Sequence, residues 1–204
     1  MSEAQIPAKL VMELRAKTGA GMMDCKKALQ ETGSDLEKAA EYLRKQGIDQ
    51  ADKKAGREAN EGLVHAYIHQ GGKIGVLVEV NCETDFVAKT DEFRDFCHEI
   101  AMQIAATSPQ YLIRDEVGGD IIATEKEIYR AAAINEGKPE KVIDRIVEGK
   151  LEKYYEQVCL LEQAWIREGD TSIEELMKQT IAKLGENISI ARFTRFALGE
   201  GAES

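Results

Sequence analysis

The chain has 204 residues, 43% of them hydrophobic, enough for a packed core in one large domain or two small ones, which excludes disorder as the main state. Its formal net charge of -10 argues against general nucleic-acid binding, which rests on Lys and Arg against phosphate, and suits a protein partner instead. No apolar run reaches the roughly 18 residues of a membrane span, and Met1 to Pro7 lacks a basic region followed by an apolar segment. Neither a membrane anchor nor a secretory signal is expected, so the cytoplasm is the default compartment.

Residues 6 to 47 read as three short helices. Pro7 suits a helix start, and Leu10, Val11 and Leu14 share one face. Thr18-Gly19-Ala20-Gly21 breaks that helix. A second runs from Met22 with Cys25, Ala28 and Leu29 inward and stops at Gly33. Ser34-Asp35-Leu36-Glu37 has the capping-box pattern for a third, with Leu36, Ala39, Ala40 and Leu43 inward and Gly47 as its end. Three short helices around a small core stand at the lower limit of independent stability, as binding modules often do. Met22 and Met23, beside glycines at a helix start, either offer adaptable apolar surface to a partner or, as the plainer expectation, at least one of them fills the core.

Residues 48 to 61, with Lys53, Lys54 and Arg57, read as a polar connector of helical propensity. Leu63 to Ile68 and Ile74 to Val80 are strand-like runs around the turn Gln70-Gly71-Gly72-Lys73, a hairpin with His65 and His69 on its wetter face. No cysteine lies near either histidine, so metal binding is not expected.

The hairpin leads into Asn81-Cys82-Glu83-Thr84-Asp85-Phe86-Val87-Ala88-Lys89-Thr90, a corner between a strand and a helix, where rigid flanks favour functional groups. Two readings of Asp85-Phe86 stand side by side. Phe86 packs into its own core while Asp85 caps the next helix, or the pair projects as a wedge of one ring and one carboxylate.

A helix over Asp91 to Thr107 follows, stopped by Ser108-Pro109. Tyr111-Leu112-Ile113 reads as a short edge strand. Thr124-Glu125-Lys126-Glu127 predicts a helix start and Gly137 its end. Pro139 opens a helix to Gly149 that buries Val142, Ile143, Ile146 and Val147, and a separate piece carries Leu151, Tyr154, Tyr155 and Val158. Trp165 is expected in the core. Thr171-Ser172-Ile173-Glu174 opens a last helix closed by Gly185, and Ile188 to Phe196 reads as a final strand of imperfect alternation, with a mobile tail from Gly199 to Ser204. The fold class is α+β: a three-helix module followed by a core with a small antiparallel sheet packed by helices.

Chemistry of its own is absent from the pattern. There is no phosphate-binding glycine loop, no dinucleotide fingerprint and no nucleophile elbow. Cys25, Cys82, Cys97 and Cys159 form no close pair, which argues against zinc and a disulfide scaffold and leaves them as small buried hydrophobes. No cofactor is expected, and an enzyme is disfavoured. The residues by themselves describe an acidic two-part binding protein.

Thr18-Gly19-Ala20-Gly21-Met22-Met23-Asp24-Cys25-Lys26-Lys27-Ala28-Leu29 resembles the N-terminal signature of the bacterial translation elongation factor Ts family, and Glu79 to Lys89 resembles its second signature. Gly185-Glu186-Asn187-Ile188, Arg192-Phe193 and Gly199-Glu200-Gly201 are similar to its C-terminal segment. The resemblance implies a guanine nucleotide exchange factor that binds elongation factor Tu with GDP, displaces magnesium and promotes GDP release. It implies a ubiquitin-associated-like docking module with its connector over residues 1–55 and an α+β core and dimerisation domain over 56–204. Carried over by motif, Thr84, Asp85, Phe86 and Val87 would disturb the partner's magnesium site, with Phe86 inserted between the GTPase helices. Arg15, Met22, Met23 and Lys26 would dock it.

The chain departs from longer family members. It has one copy of the Gly-Gly-Lys-Ile-Gly-Val-Leu-Val hairpin, where those have a second core half and a coiled-coil insertion. A single half leaves an exposed face, so a homodimer is expected. The family often has proline near Ala164, so no contact is assigned to Ile166 or Arg167. Two other classes compete: a ubiquitin or nascent-chain binding module, suggested by the three helices, and a hydrolase using surface carboxylates.

Overall fold

The computed structural model describes residues 6–200; Met1 to Gln5, read above for a signal, and Gly201 to Ser204 of the motif and tail lie outside the described residues. The architecture is α+β, as expected. The chain forms two compact units, one built from the chain up to Leu63 with Val80–Phe96 and Met177–Ser189, the other from Val64–Glu79, Cys97–Leu176 and Ile190 onward.

In the first unit, α1 (Ala8–Thr18), α2 (Met22–Glu31) and α3 (Leu36–Lys54) close around Val11, Leu14, Cys25, Ala28, Leu29 and Ala39. Leu14 and Leu29 are fully buried, each worth about 1.5–3 kcal/mol in this small core. Gly19 ends α1 in the left-handed region, φ 69°, and its N–H closes on the Arg15 carbonyl. Two expectations need correcting. The cap of α3 is Asp35, not Ser34: its carboxylate accepts from the Glu37 and Lys38 N–H groups, while Ser34 sits at φ 69° in the preceding turn. Gly47 does not end α3, which absorbs much of the expected connector and runs on to Lys54. A Cβ at position 47 would stand 3.1 Å from that of Ala182, so this glycine serves close packing rather than termination.

Strands β1 (Glu61–Ile68) and β2 (Ile74–Cys82) form the expected hairpin, and β5 (Ile188–Ala197) completes a sheet of order β1-β2-β5. The Leu198 N–H reaches the Lys73 carbonyl and Arg192 pairs with Glu79, a constant register sum that makes β2 and β5 antiparallel. Val76, Val78, Val80 and Cys82 are buried on one face of β2. The phase of β1 is the reverse of the expected one: Leu63, His65 and Tyr67 are half-buried, whereas Val64, Ala66 and Ile68 face out. His65 is held inward by His98. On β5, Ile188 and Ile190 are buried, then Ala191 and Arg192 are both exposed, and Phe193 and Arg195 resume on the half-buried side. That phase shift is why its alternation is imperfect.

Between β2 and β5 come α4 (Asp85–Ala88), α5 (Asp91–Thr107), α6 (Gly119–Asn135), α7 (Glu140–Val158), the hairpin β3 (Ala164–Trp165) and β4 (Glu168–Ser172), and α8 (Ile173–Leu184). Helix α5 buries Phe93, Phe96, Cys97, Ile100 and Ile104. Tyr111 makes an isolated bridge to Cys159, not an edge strand. Helix α6 begins five residues before the expected start: Thr124 lies inside it, its hydroxyl spent on the Asp120 carbonyl. Helix α7 is continuous through Gly149, merging two expected pieces. Helices α6 and α7 pack through Ala133, Ile143 and Val147 and an Arg130–Asp144 ion pair, a helical hairpin where no coiled-coil insertion was expected. The β3–β4 hairpin, also unforeseen, hangs on the buried Gln103 amide, which donates to Gln163 and Ala164 and accepts from the Ile166 N–H. Trp165 is half-buried rather than in the core.

Candidate functional site

The corner after β2 is built by hydrogen bonds that fold a tight turn without burying its ring. Thr84 has extended backbone, and its hydroxyl accepts from the Val87 N–H at 3.4 Å, capping the four-residue helix α4. The cap therefore belongs to Thr84 and not to Asp85. The buried Cys82 thiol donates to the Thr84 carbonyl at 3.2 Å. Burial, with the Glu186 carboxylate nearby, pushes that thiol above its ordinary range, so it stays protonated and keeps donating. Thr90 closes the turn by donating to the Val87 carbonyl at 2.8 Å.

Phe86 is 79% exposed at the tip of this turn. The core-packing reading of Phe86 is thereby excluded: the ring touches water, at a cost only a partner would relieve. Asp85 pairs with Lys89 at 2.5 Å, with the Lys89 side chain 67% exposed and that of Asp85 49%. A surface pair of this kind is worth about 0–1 kcal/mol, so the carboxylate is held lightly and is available to a competitor. Val87 is half-buried.

Behind the turn lies a set of contacts that sequence reasoning did not assign. The Glu186 carboxylate accepts from both the Thr84 N–H, at 3.0 Å, and the Thr84 hydroxyl, at 2.6 Å. Glu83 accepts from the Asn187 N–H at 2.6 Å, and its Oε1 is 3.4 Å from the Arg57 guanidinium. The only signal in the sequence was the Gly185-Glu186-Asn187 stretch, which carried a resemblance but no stated task.

Arg15, Met22, Met23 and Lys26 are all exposed on α1 and α2. The expectation that one methionine fills the core fails, because Cys25, Ala28 and Leu29 already do so, and Met23 is 72% exposed. These four residues and the 84–87 turn belong to the same compact unit. The three histidines gather in the other unit: His65 Nε2 lies 3.3 Å from His98 Nδ1, and His69 Nδ1 lies 2.9 Å from the Tyr67 hydroxyl. Among the described residues no group of three or more His, Cys, Asp or Glu side chains is arranged to hold a metal ion. All four cysteines are buried thiols. No described helix is long and apolar enough to cross a membrane.

Comparison with known proteins adds the family context. A family model described as elongation factor TS matches residues 27–200. The chain is 61% identical over 199 residues to elongation factor Ts of Thermoanaerobacter pseudethanolicus, covering 98% of each chain. It is 59% identical over 196 residues to that of Moorella thermoacetica, covering 96% of this chain and 97% of the relative. To the protein of Caldanaerobacter subterraneus subsp. tengcongensis it is 62% identical over 198 residues, with 97% and 99% covered.

Proposed function

Since the chain belongs to the elongation factor Ts family, a nucleotide exchange factor for elongation factor Tu in translation elongation and not itself an enzyme, we propose that its 84–87 turn is the element that loosens the partner's nucleotide. The observation that carries this reading is Phe86, presented to solvent on a turn braced from behind. The ring enters the GTPase near its magnesium site, and Asp85, exchanging Lys89 for partner donors, disturbs the bonds that support the magnesium ligands. Thr84 and Val87 hold the turn's shape. Arg15 and Lys26 supply charge and Met22 and Met23 adaptable apolar contact, so that residues 1–55 dock the factor.

Thermodynamics sets the rest. An exchange factor leaves the GDP–GTP equilibrium unchanged, so it must bind the nucleotide-free GTPase more tightly than the loaded one, and nucleotide weakens factor binding by the same ratio. Each tenfold gain in release rate takes about 1.4 kcal/mol off the barrier. One buried Phe supplies about 1.5–3 kcal/mol, part of the effect, and the docking contacts provide binding energy for the distortion.

The reading extends to assembly. The outer face of the β1-β2-β5 sheet carries Val64, Ile68, Leu77, Phe196 and Leu198, all exposed, around a groove of about 500 Å³. Phe196 and Leu198 are 70% and 80% exposed. A second copy of the chain, meeting this face with its own, completes a homodimer of the core over residues 56–204, with one GTPase per subunit. The compartment of this work is the cytoplasm.

Release of fluorescent GDP from elongation factor Tu tests the wedge. Phe86→Ala should slow release about tenfold or more at saturating factor with modest loss of affinity, whereas alanine at Met22 or Met23 should weaken affinity first. Equal release by wild type and Phe86→Ala would remove the wedge and leave the family assignment standing.

A further inference from the structure

The ring of Phe86 is too exposed for packing to hold it in place, and a single four-residue turn is not stable by itself. Its position is therefore set by whatever fixes the 84–88 backbone. That task falls to the segment after α8. The Glu186 carboxylate takes both donors of Thr84, the N–H on Oε2 and the hydroxyl on Oε1. Because the hydroxyl proton is committed to Glu186, a lone pair of the same oxygen is left facing the Val87 N–H. Carboxylate, hydroxyl and amide form one chain that ends in the turn carrying Phe86. The neighbouring residue braces it. Asn187 donates its N–H to Glu83, and its side chain, 6% exposed, donates to the Arg57 carbonyl at 2.7 Å.

Resting on the wedge reading, we propose that Glu186 is the positioning residue of exchange: it never meets the nucleotide but holds the 84–88 turn in its inserting shape before the partner arrives. A carboxylate suits this task, because charge-assisted bonds to two donors on one residue fix both distance and direction. Pre-ordering the turn removes an ordering cost that would otherwise fall on the step in which Phe86 enters the GTPase. Glu186 should therefore govern the maximal rate of release more than the affinity of docking.

The test is GDP release from elongation factor Tu over a range of factor concentrations, using wild type, Glu186→Gln, Glu186→Ala, Phe86→Ala and the Glu186→Ala/Phe86→Ala double variant, each with its thermal midpoint and amide exchange at Thr84 and Val87. Glu186→Ala should lower the maximal release rate about tenfold, leave the half-saturating concentration within about twofold, and expose both amides. Glu186→Gln should fall between, since its carbonyl still accepts from the hydroxyl while its amide nitrogen cannot accept from the Thr84 N–H. In the Phe86→Ala background, Glu186→Ala should cost little more, because its effect travels through the ring. A wild-type rate in Glu186→Ala, or an equal loss with and without Phe86, overturns the positioning role. If Glu186→Ala proves unfolded, Glu186→Gln decides by the same split between rate and affinity. A loss for Phe86→Ala with none for Glu186→Gln or Glu186→Ala removes this inference alone, whereas a wild-type rate for Phe86→Ala removes the wedge and this inference with it.

Discussion

His65 shows at the level of one residue how burial overrides pattern. Alternation along β1 places it among apolar neighbours, and charge sense puts an imidazole outside. The structure turns it inward because His98 on α5 accepts or donates the proton its ring needs, at 3.3 Å. Tyr67 stands edge-on to His98 in the same group. Desolvation, with His98 adding to it, lowers the His65 pKa below the ordinary 6.5. The unfolded chain then takes up a proton before the folded one does. Stability associated with neutral His65 is fully present above the ordinary value and declines as pH falls through it toward the lowered one. Proton NMR of the imidazole should give a His65 midpoint below 6.5, and the thermal midpoint should drop on acidification less steeply in His65→Phe. A His65 midpoint above that value would contradict the placement.

Gly149 makes the corresponding point for an element. It reads as a helix stop, yet α7 passes through it, because Ile143, Val147 and Leu151 continue a buried stripe on either side. Gly149 is exposed, and a Cβ there would meet nothing within 4 Å. Glycine in a helix interior costs about 0.5–1 kcal/mol relative to alanine. Gly149→Ala should therefore stabilise the chain by about that amount in a denaturant titration, and any destabilisation would show that α7 bends or breaks there. The same logic explains Gly47, which α3 retains for its approach to Ala182. Helix ends were misread wherever a glycine or a capping pattern stood for a stop or a start that tertiary contacts overrode. Where the stop lies in the backbone itself, as at Ser108-Pro109 after α5, the boundary is the expected one.

At the scale of the whole molecule, the outer sheet face leaves Val64, Ile68, Leu77, Phe196 and Leu198 exposed. Arg192 on β5 pairs with Glu79 on β2, while Phe196 and Leu198 lie farther along, where Leu198 meets Lys73. A self-complementary interface with two-fold symmetry is the common solution for such a surface. Sedimentation at micromolar concentration should give a dimer, and Phe196→Glu should give a monomer that keeps its fold. A wild-type monomer under those conditions would exclude the dimer. Since Phe196 and Phe86 belong to different units, the monomeric variant is expected to retain GDP release per subunit.

The three helices, the hairpin and the α5 boundaries were legible in the sequence because each depends on local signals: helical spacing, turn glycines and a proline stop. The family followed from two long motifs, and with it the role proposed for Thr84 to Val87. Three matters belonged to tertiary structure alone. The inward phase of β1 depends on a histidine thirty-three positions away on another element. The bracing of the 84–87 turn depends on Glu186 and Asn187, about a hundred residues downstream. The exposure of Phe86 is decided by the core being filled without it. Periodicity reports which face of an element is apolar, but only the packed chain decides which side chains that face receives and which it leaves to a partner.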